Sequence, residues 1–226
     1  MRDSSFPIYA YDDDLITATR RDDRTRVRVY RLTSSVVVLG SGSQPEVEVN
    51  LDACADDGVP ILRRCGGGCA VVVDPGNIVV SVVAAGLPFG HHQRHFDRLT
   101  AWLIEGLDRI GVHGVKQAGT CDYVLADRKV GGACLHRSRD LLYYSTTLLV
   151  DPDRAGVMRY LRHPPREPDY RAGRSHAAFM GSLSLSAAGA GSVPSWLLDL
   201  EQVAARLRRK LKPPDLTAMV NRGQAA

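Results

Sequence analysis

No apolar run in this chain approaches the ~20 residues that a membrane-spanning helix needs; the longest, such as Ile78 to Ala85, stop well short. The first residues, Met1-Arg2-Asp3-Ser4-Ser5-Phe6, lack the apolar centre of a secretory signal, and Asp12-Asp13-Asp14 follows closely. A cytoplasmic setting without membrane attachment is therefore expected. Charge of one sign is scarce too: 29 Lys+Arg against 25 Asp+Glu leave +4 with His neutral. That field is too weak to argue for nucleic acid, though it suits an acidic protein partner. Cysteine is limited to five residues, Cys54, Cys65, Cys69, Cys121 and Cys134. An odd number cannot all pair, so free thiols are expected rather than a disulfide framework. No internal repeat or heptad run is present, and the 21 Gly and 12 Pro follow no period, which excludes coiled-coil and collagen-like architectures.

What is there is ordinary for a globular protein. Hydrophobic residues make up 44% and charged residues 24%, enough to bury a sizeable core, and no linker-like stretch divides residues 1–226. A single domain is expected. β-Branched runs predict strands at Arg26–Leu32, Ser35–Leu39 and Ile61–Arg64, with a short helix over Val47–Asp57. Ala70–Val73 and Ile78–Ala84 flank the turn Asp74-Pro75-Gly76-Asn77 and predict a hairpin. From His95 to Ile110 apolar residues recur at three- and four-residue steps, which predicts an amphipathic helix closed by Gly111. Tyr123–Ala126, Lys129–Leu135 and Leu141–Val150 predict a three-stranded meander. A helix over Asp153–Leu161, a Pro-rich loop from His163, a small-residue loop over Ala187–Val193 and a last amphipathic helix over Trp196–Leu211 complete the reading. This order of elements predicts an α+β fold with a mixed, mostly antiparallel sheet and packed helices.

Two segments carry chemistry. In Arg63-Arg64-Cys65-Gly66-Gly67-Gly68-Cys69-Ala70-Val71-Val72-Val73-Asp74, three consecutive glycines stand between apolar strands. Bare backbone there can approach a ligand closely and turn its N–H groups toward an anion, with the arginines adding charge. No Gly-Lys-Ser/Thr follows, so this is not a Walker loop. Taken alone, it serves equally as a hairpin with solvated arginines. In the second segment, Lys129 leads into Val130-Gly131-Gly132-Ala133-Cys134 and follows Asp122 at a short distance. A lysine beside bare backbone can reach over a ligand as a point charge, or can simply occupy a turn.

Together, at their spacing, these segments resemble the lipoate–protein ligase and octanoyltransferase family, which shares its catalytic domain with biotin–protein ligases. The family's Arg-x-Ser/Thr-Gly-Gly-Gly-Ala-Val loop is answered by Arg64 to Val71. Its Asn-Asp…Lys-x-x-Gly-x-Ala element is answered by Cys121-Asp122 through Lys129, Gly132 and Cys134, and its His-Gly-Thr-Leu-Leu strand by Ser145-Thr146-Thr147-Leu148-Leu149. The resemblance runs from about Arg26 to Leu183.

The resemblance implies a biotin/lipoate-ligase-like fold in which ATP and lipoate (or octanoate) form an acyl-adenylate. The acyl group would then pass to a lysine of a lipoyl carrier domain protein. Lys129 becomes the first catalytic candidate. Arg64, Gly66, Gly67, Gly68, Cys69, Asp122, Gly131, Gly132, Ala133 and Thr147 would line the acid and nucleotide, and Asp122 would hold Mg²⁺. The acyl chain needs an apolar slot, expected from Val71, Val72, Val80 and Val82. Only the helix at about 195–212 and a short tail follow the catalytic segment, too little for a separate accessory domain. The domain would act alone or with an accessory subunit on another polypeptide.

Departures open two rival readings. Cys69 replaces the third loop glycine, Val73 a histidine, Cys121 the asparagine, Cys134 the alanine and Ser145-Thr146 the His-Gly pair. Cysteines beside Lys129 or Arg64 suggest an ATP-independent acyltransferase working through a thioester on Cys121, Cys134 or Cys69. The lost histidines suggest a non-catalytic acyl- or nucleotide-binding subunit. Cys65-x-x-x-Cys69 lacks a second pair for zinc, and His91, His92 and His95 have no accompanying ligand motif, so no structural metal is assigned. Arg171 and Arg174, in the segment after Pro168, are candidates to face phosphates or an acidic carrier, and this loop is a candidate lid over the adenylate.

Overall fold

The computed structural model describes residues 6–87, 92–138, 140–186 and 194–216. Among them, nine strands form two sheets. The large sheet has the order β1-β5-β9-β8-β7-β6, from Arg26–Tyr30, Asn77–Ala85, Leu141–Leu149, Arg128–Arg137, Asp122–Leu125 and Lys116–Ala118. Every neighbouring pair in it is antiparallel. The small sheet has the order β3-β2-β4, from Ile61–Arg63, Val36–Leu39 and Val71–Val73, with β2 parallel to β3 and antiparallel to β4. Eight helices accompany them: α1 Asp13–Asp22, α2 Pro45–Glu48, α3 Leu51–Asp56, α4 His92–Arg109, α5 Arg154–Tyr160, α6 His176–Phe179, α7 Leu183–Ser186 and α8 Leu200–Lys210. This is the mixed, mostly antiparallel α+β fold that the sequence predicts.

The two faces of the large sheet differ because alternate residues point to opposite sides. Ile78, Val80, Val130, Tyr123 and Leu148 face α4 and α8, packing on Leu103, Leu107, Val203, Ala204 and Leu207, all fully buried. Burying a side chain of this size contributes about 1.5–3 kcal/mol. On the other face Val79 meets Val36, Val38 and Val73 of the small sheet. The space between the two sheets holds the site. No helix among the described residues is long and apolar enough to cross a membrane.

The sequence reading needs four corrections. The expected hairpin across Asp74–Asn77 does not form, because β4 belongs to the small sheet and β5 to the large one. The turn instead carries the chain between sheets. It is fixed by the buried Asp74 carboxylate, which accepts the Gly76 N–H at 2.6 Å and the Asp153 N–H at 3.1 Å. The helix expected over Val47–Asp57 is two short ones, because Asn50 accepts the Ala53 N–H and caps a new start. The last helix breaks at Asp199, whose side chain accepts from the backbone of Glu201 and Gln202 and caps α8, leaving Ser195–Leu198 as a 3₁₀ turn. Val80 and Val82 point into the helix-side core rather than toward a ligand slot. His91 and the Ala187–Val193 loop lie outside the described residues.

Candidate active site

The glycine loop joins β3 to β4 over the end of β2. Its shape is held by groups that sequence reasoning missed. The buried carboxylate of Glu48 accepts the Ala70 N–H at 2.6 Å and the Ser43 hydroxyl at 3.0 Å. Arg63 donates to the carbonyls of Gly40 and Ser43. Arg64 donates to the carbonyls of Val38, Gly67 and Cys69 at 2.8–3.2 Å, so much of its donor fork serves the loop itself. Gly66 is buried because a Cβ there would stand 2.7 Å from the Cys134 sulfur. That close approach ties the loop to β8.

Lys129 lies on β8, and a bulge aims it. Tyr123 faces Gly131 and Val124 faces Lys129, so Val130 is an extra residue on β8. Lys129 and Gly132, three apart, would otherwise point to opposite faces; the inserted residue brings them to one side. A Cβ on Gly132 would stand 3.1 Å from both Lys129 Cε and Nζ and 3.2 Å from Asp122 Oδ1. The ammonium therefore lies over bare backbone. Nζ is 2.7 Å from Asp122 Oδ1, with 28% and 11% of the two side chains exposed. Asp122, Gly132 and Thr147 stand in register across β7, β8 and β9.

These pieces line one cavity of about 490 Å³. Of the residues singled out in the sequence, it brings together Lys129, Arg64, Gly68, Cys69, Val71, Val72, Cys121, Asp122, Gly131, Gly132, Ala133, Cys134 and Thr147. Gly66 and Gly67 do not line it; the first is covered by Cys134 and the second is exposed. Apolar walls come from Val38, Val71, Val72, Val73, Leu149, Val157 and Leu161.

The segment after Pro164 closes one side. Tyr170 donates its hydroxyl to Asp122 Oδ2 at 2.7 Å, and burial beside that carboxylate pushes the phenol upward. Cys69 Sγ lies 3.6 Å from the Arg166 carbonyl. The two arginines of this segment part company. Arg174 donates to Asp127 and to the Tyr170 and Arg171 carbonyls, away from the cavity. Arg171 lines the cavity, is 4% exposed, and its Nη2 has no hydrogen-bond partner among the described residues. A buried guanidinium nitrogen in that condition suits an incoming anion.

The Cys65, Cys121 and Cys134 thiols are poor nucleophiles as they stand. Burial raises the Cys121 and Cys134 thiols and pushes Cys65 up to about 11. Among the described residues no group of three or more His, Cys, Asp or Glu gathers to hold a metal ion. Both Asp122 oxygens are already engaged, so Mg²⁺ would have to displace a partner there and draw its other ligands from phosphate and water. Glu48 had no signal in the sequence beyond being a polar residue near apolar runs, and Tyr170 stood in the segment singled out for Arg171 and Arg174 without a role of its own.

The two sheets, their connections and the cavity between them define a catalytic domain of the lipoate-ligase class. The chain belongs to the family described as "Lipoyl protein ligase A/B catalytic domain", which it matches over residues 6–211. It is 35% identical over 133 residues to a protein of Schizosaccharomyces pombe named as a lipoate-protein ligase A, covering 58% of this chain and 35% of that protein. To the lipoate–protein ligase of Streptococcus pyogenes it is 29% identical over 149 residues, covering 65% of this chain and 42% of that protein. The chain thus spans less than half the length of these relatives. Its fold is shared with a bi-partite lipoate protein ligase of Thermoplasma acidophilum, with TM-score 0.71, 22% identity, and 89% of this chain and 75% of that one covered. It is shared also with a lipoate-protein ligase A bound with ATP, with TM-score 0.69, 20% identity, and 89% and 76% covered.

Proposed function

We propose that this domain is an ATP-dependent lipoate–protein ligase, forming lipoyl-AMP and transferring the lipoyl group to a lysine of a lipoyl carrier domain. The observation that carries this reading is the Lys129 ammonium, laid over Gly132 and held by Asp122 at the wall of an apolar-lined cavity. In the first step a carboxylate oxygen attacks the α-phosphorus and the bond to pyrophosphate breaks. Carboxylate and phosphate are both negative, and Lys129 offsets their repulsion and the charge of the transition state. Arg171, with a buried nitrogen that has no partner among the described residues, would donate to a phosphate oxygen. In the second step the carrier's amine attacks the acyl carbonyl, its proton is lost and AMP leaves. Mg²⁺ would accompany the nucleotide and neutralise phosphate charge, and Asp122 would be the carboxylate that holds it.

Support for the substrates comes from the family and from neighbours of the same fold, one bound to ATP and one described with an E2 lipoyl domain. The bi-partite neighbour of the same fold supports a separate accessory subunit as a partner. The thioester alternative needs a thiolate, and the raised thiols of Cys121 and Cys134 work against it.

The test is mass spectrometry of lipoyl domains after incubation with lipoate, octanoate or biotin, each with and without Mg-ATP. An added acyl mass that requires ATP is expected. Transfer from an acyl donor without nucleotide would put the cysteine mechanism in its place, and binding with no turnover on any carrier would leave a non-catalytic subunit.

A further inference from the structure

The end of the cavity away from Lys129 is polar. On β9 the residues facing the cavity are Thr147, which pairs with Gly132, and then Ser145 and Tyr143. At about 3.4 Å per residue, Tyr143 stands about 14 Å along the strand from Thr147. That is the reach of an extended medium-chain acyl group whose carboxyl lies at Lys129. Tyr9, from the segment preceding α1, lines the same end.

Behind these three residues sits Asp12, 2% exposed. Its Oδ2 accepts hydroxyls from Ser81 at 2.6 Å, Tyr143 at 2.8 Å and Tyr30 at 3.1 Å. Its Oδ1 has no hydrogen-bond partner among the described residues, with Arg28 Nη1 at 3.7 Å. Two further contacts complete the cluster: Tyr9 to Tyr30, hydroxyl to hydroxyl at 3.1 Å, and Ser81 to Ser145 at 3.2 Å. Each hydroxyl owns one proton. Tyr30, Tyr143 and Ser81 commit theirs to the carboxylate, Ser81 through the shorter of its two contacts. Tyr9 must then donate to Tyr30. The protons of Tyr30, Tyr143, Ser81 and Tyr9 therefore run inward toward one carboxylate. What Tyr9 and Tyr143 keep for the cavity is lone pairs. Burial raises the Tyr9 and Tyr143 phenols, so they stay neutral across the ordinary pH range.

We propose that this end of the cavity selects acyl acids whose far end carries a hydrogen-bond donor (hydroxyl, thiol or N–H) over acids ending in a plain alkyl group. The proposal rests on the acyl-activating reading above and names the substrate class within it. A donor at that end gains a hydrogen bond to an oxygen that has no proton to offer. A methyl terminus dehydrates the same oxygens and returns nothing. Within the lipoyl series, the reduced dithiol supplies such donors and the cyclic disulfide does not.

The test is calorimetric binding and Mg-ATP-dependent pyrophosphate release with octanoate, ω-hydroxyoctanoate and ω-methoxyoctanoate, the last an acceptor without a donor. Dihydrolipoate, lipoate and desthiobiotin form a second set that separates thiol from ureido donors. The hydroxy acid is expected to bind about five- to tenfold tighter than octanoate, with the methoxy acid no better than octanoate. Tyr143→Phe should narrow that ratio, while the ligand series on the unaltered protein stands whether or not that variant folds. Equal binding of hydroxy and plain acids, or of hydroxy and methoxy acids, overturns the proposal. Turnover of lipoate and octanoate without donor preference sinks this inference alone. Failure of every acid to bind or react, with nucleotide and without, removes the acyl-acid reading as well.

Discussion

The Tyr170 hydroxyl donates to Oδ2 of Asp122 at 2.7 Å, on the oxygen that Lys129 leaves free. The carboxylate is thus held from both sides, by a phenol from the covering segment and by the ammonium it orients. Tyr170 touches no reacting atom in this arrangement and acts through Asp122. Removing its hydroxyl in Tyr170→Phe frees Asp122 to rotate and loosens the lysine. A fall of about tenfold in kcat is expected, the worth of one hydrogen bond to a charged group. KM for the acid should barely move, and the melting temperature should stay close to that of the unaltered protein. A large rise in KM with kcat unchanged would instead make Tyr170 part of the binding wall.

Lys129 itself bears the larger load. In Lys129→Ala the positive charge between two anions is lost, and a fall of about a thousandfold in adenylate formation is expected, with far-UV circular dichroism unaltered. Lys129→Arg should not rescue it. A planar guanidinium is too broad to lie over Gly132, where an added Cβ would already stand 3.1 Å from the ammonium. Retained activity in either variant would move the chemistry elsewhere.

The glycines separate into those that matter for reach and those that do not. Adding a methyl in Gly132→Ala places it against Lys129 Nζ and Asp122 Oδ1, pushing the ammonium off its position. The ammonium must give by a few tenths of an ångström there; since a misplacement of about 1 Å costs on the order of a hundredfold, a fall of about three- to tenfold in kcat/KM is expected. Gly67→Ala meets nothing within 4 Å, and its effect on stability should stay within about 0.5 kcal/mol. Measuring both variants in one pyrophosphate-release assay checks the contrast. Similar losses in the two would mean that the loop, and not the lysine contact, limits the rate.

Much of this architecture was legible in the sequence, and the exceptions share a cause. The β7–β9 meander could be read because alternation and a turn are local signals, although the turn sits one residue earlier than expected. Ala126 and Asp127, both at positive φ, make the two-residue connection. Lys129, Asp122 and Gly132 could be brought together through a family pattern at fixed spacing. The bulge at Val130 that aims Lys129 had no such mark, since a bulge is a mismatch between two strands and exists only once they pair. The division into two sheets was hidden for the same reason: Asp74–Asn77 signals a turn but not where the next strand will lie. Asp12 entered the sequence reading only as part of an acidic run that argues against a secretory signal, yet it meets Tyr143 across 131 positions. Contacts of that separation leave no trace in any window of sequence.

The cysteines supply a pH test that divides the two enzymatic mechanisms. Burial holds the Cys65 thiol at about 11 and also raises Cys121 and Cys134, against about 8.5 for a free thiol. Only the thiolate reacts with iodoacetamide. At pH 8 alkylation of Cys65 in the folded protein should therefore run about two orders of magnitude slower than that of free cysteine. It should climb about tenfold per pH unit until the folded value is reached. The same shift favours the folded state while the thiol stays protonated. That contribution is complete below about pH 8.5 and is lost as pH rises through about 11. Peptide mass spectrometry of alkylated protein across this range measures the rates residue by residue. Rapid labelling of Cys121 or Cys134 at neutral pH, together with loss of transfer in Cys121→Ser or Cys134→Ser, would mean a thiolate carries the acyl group and that Lys129 serves it.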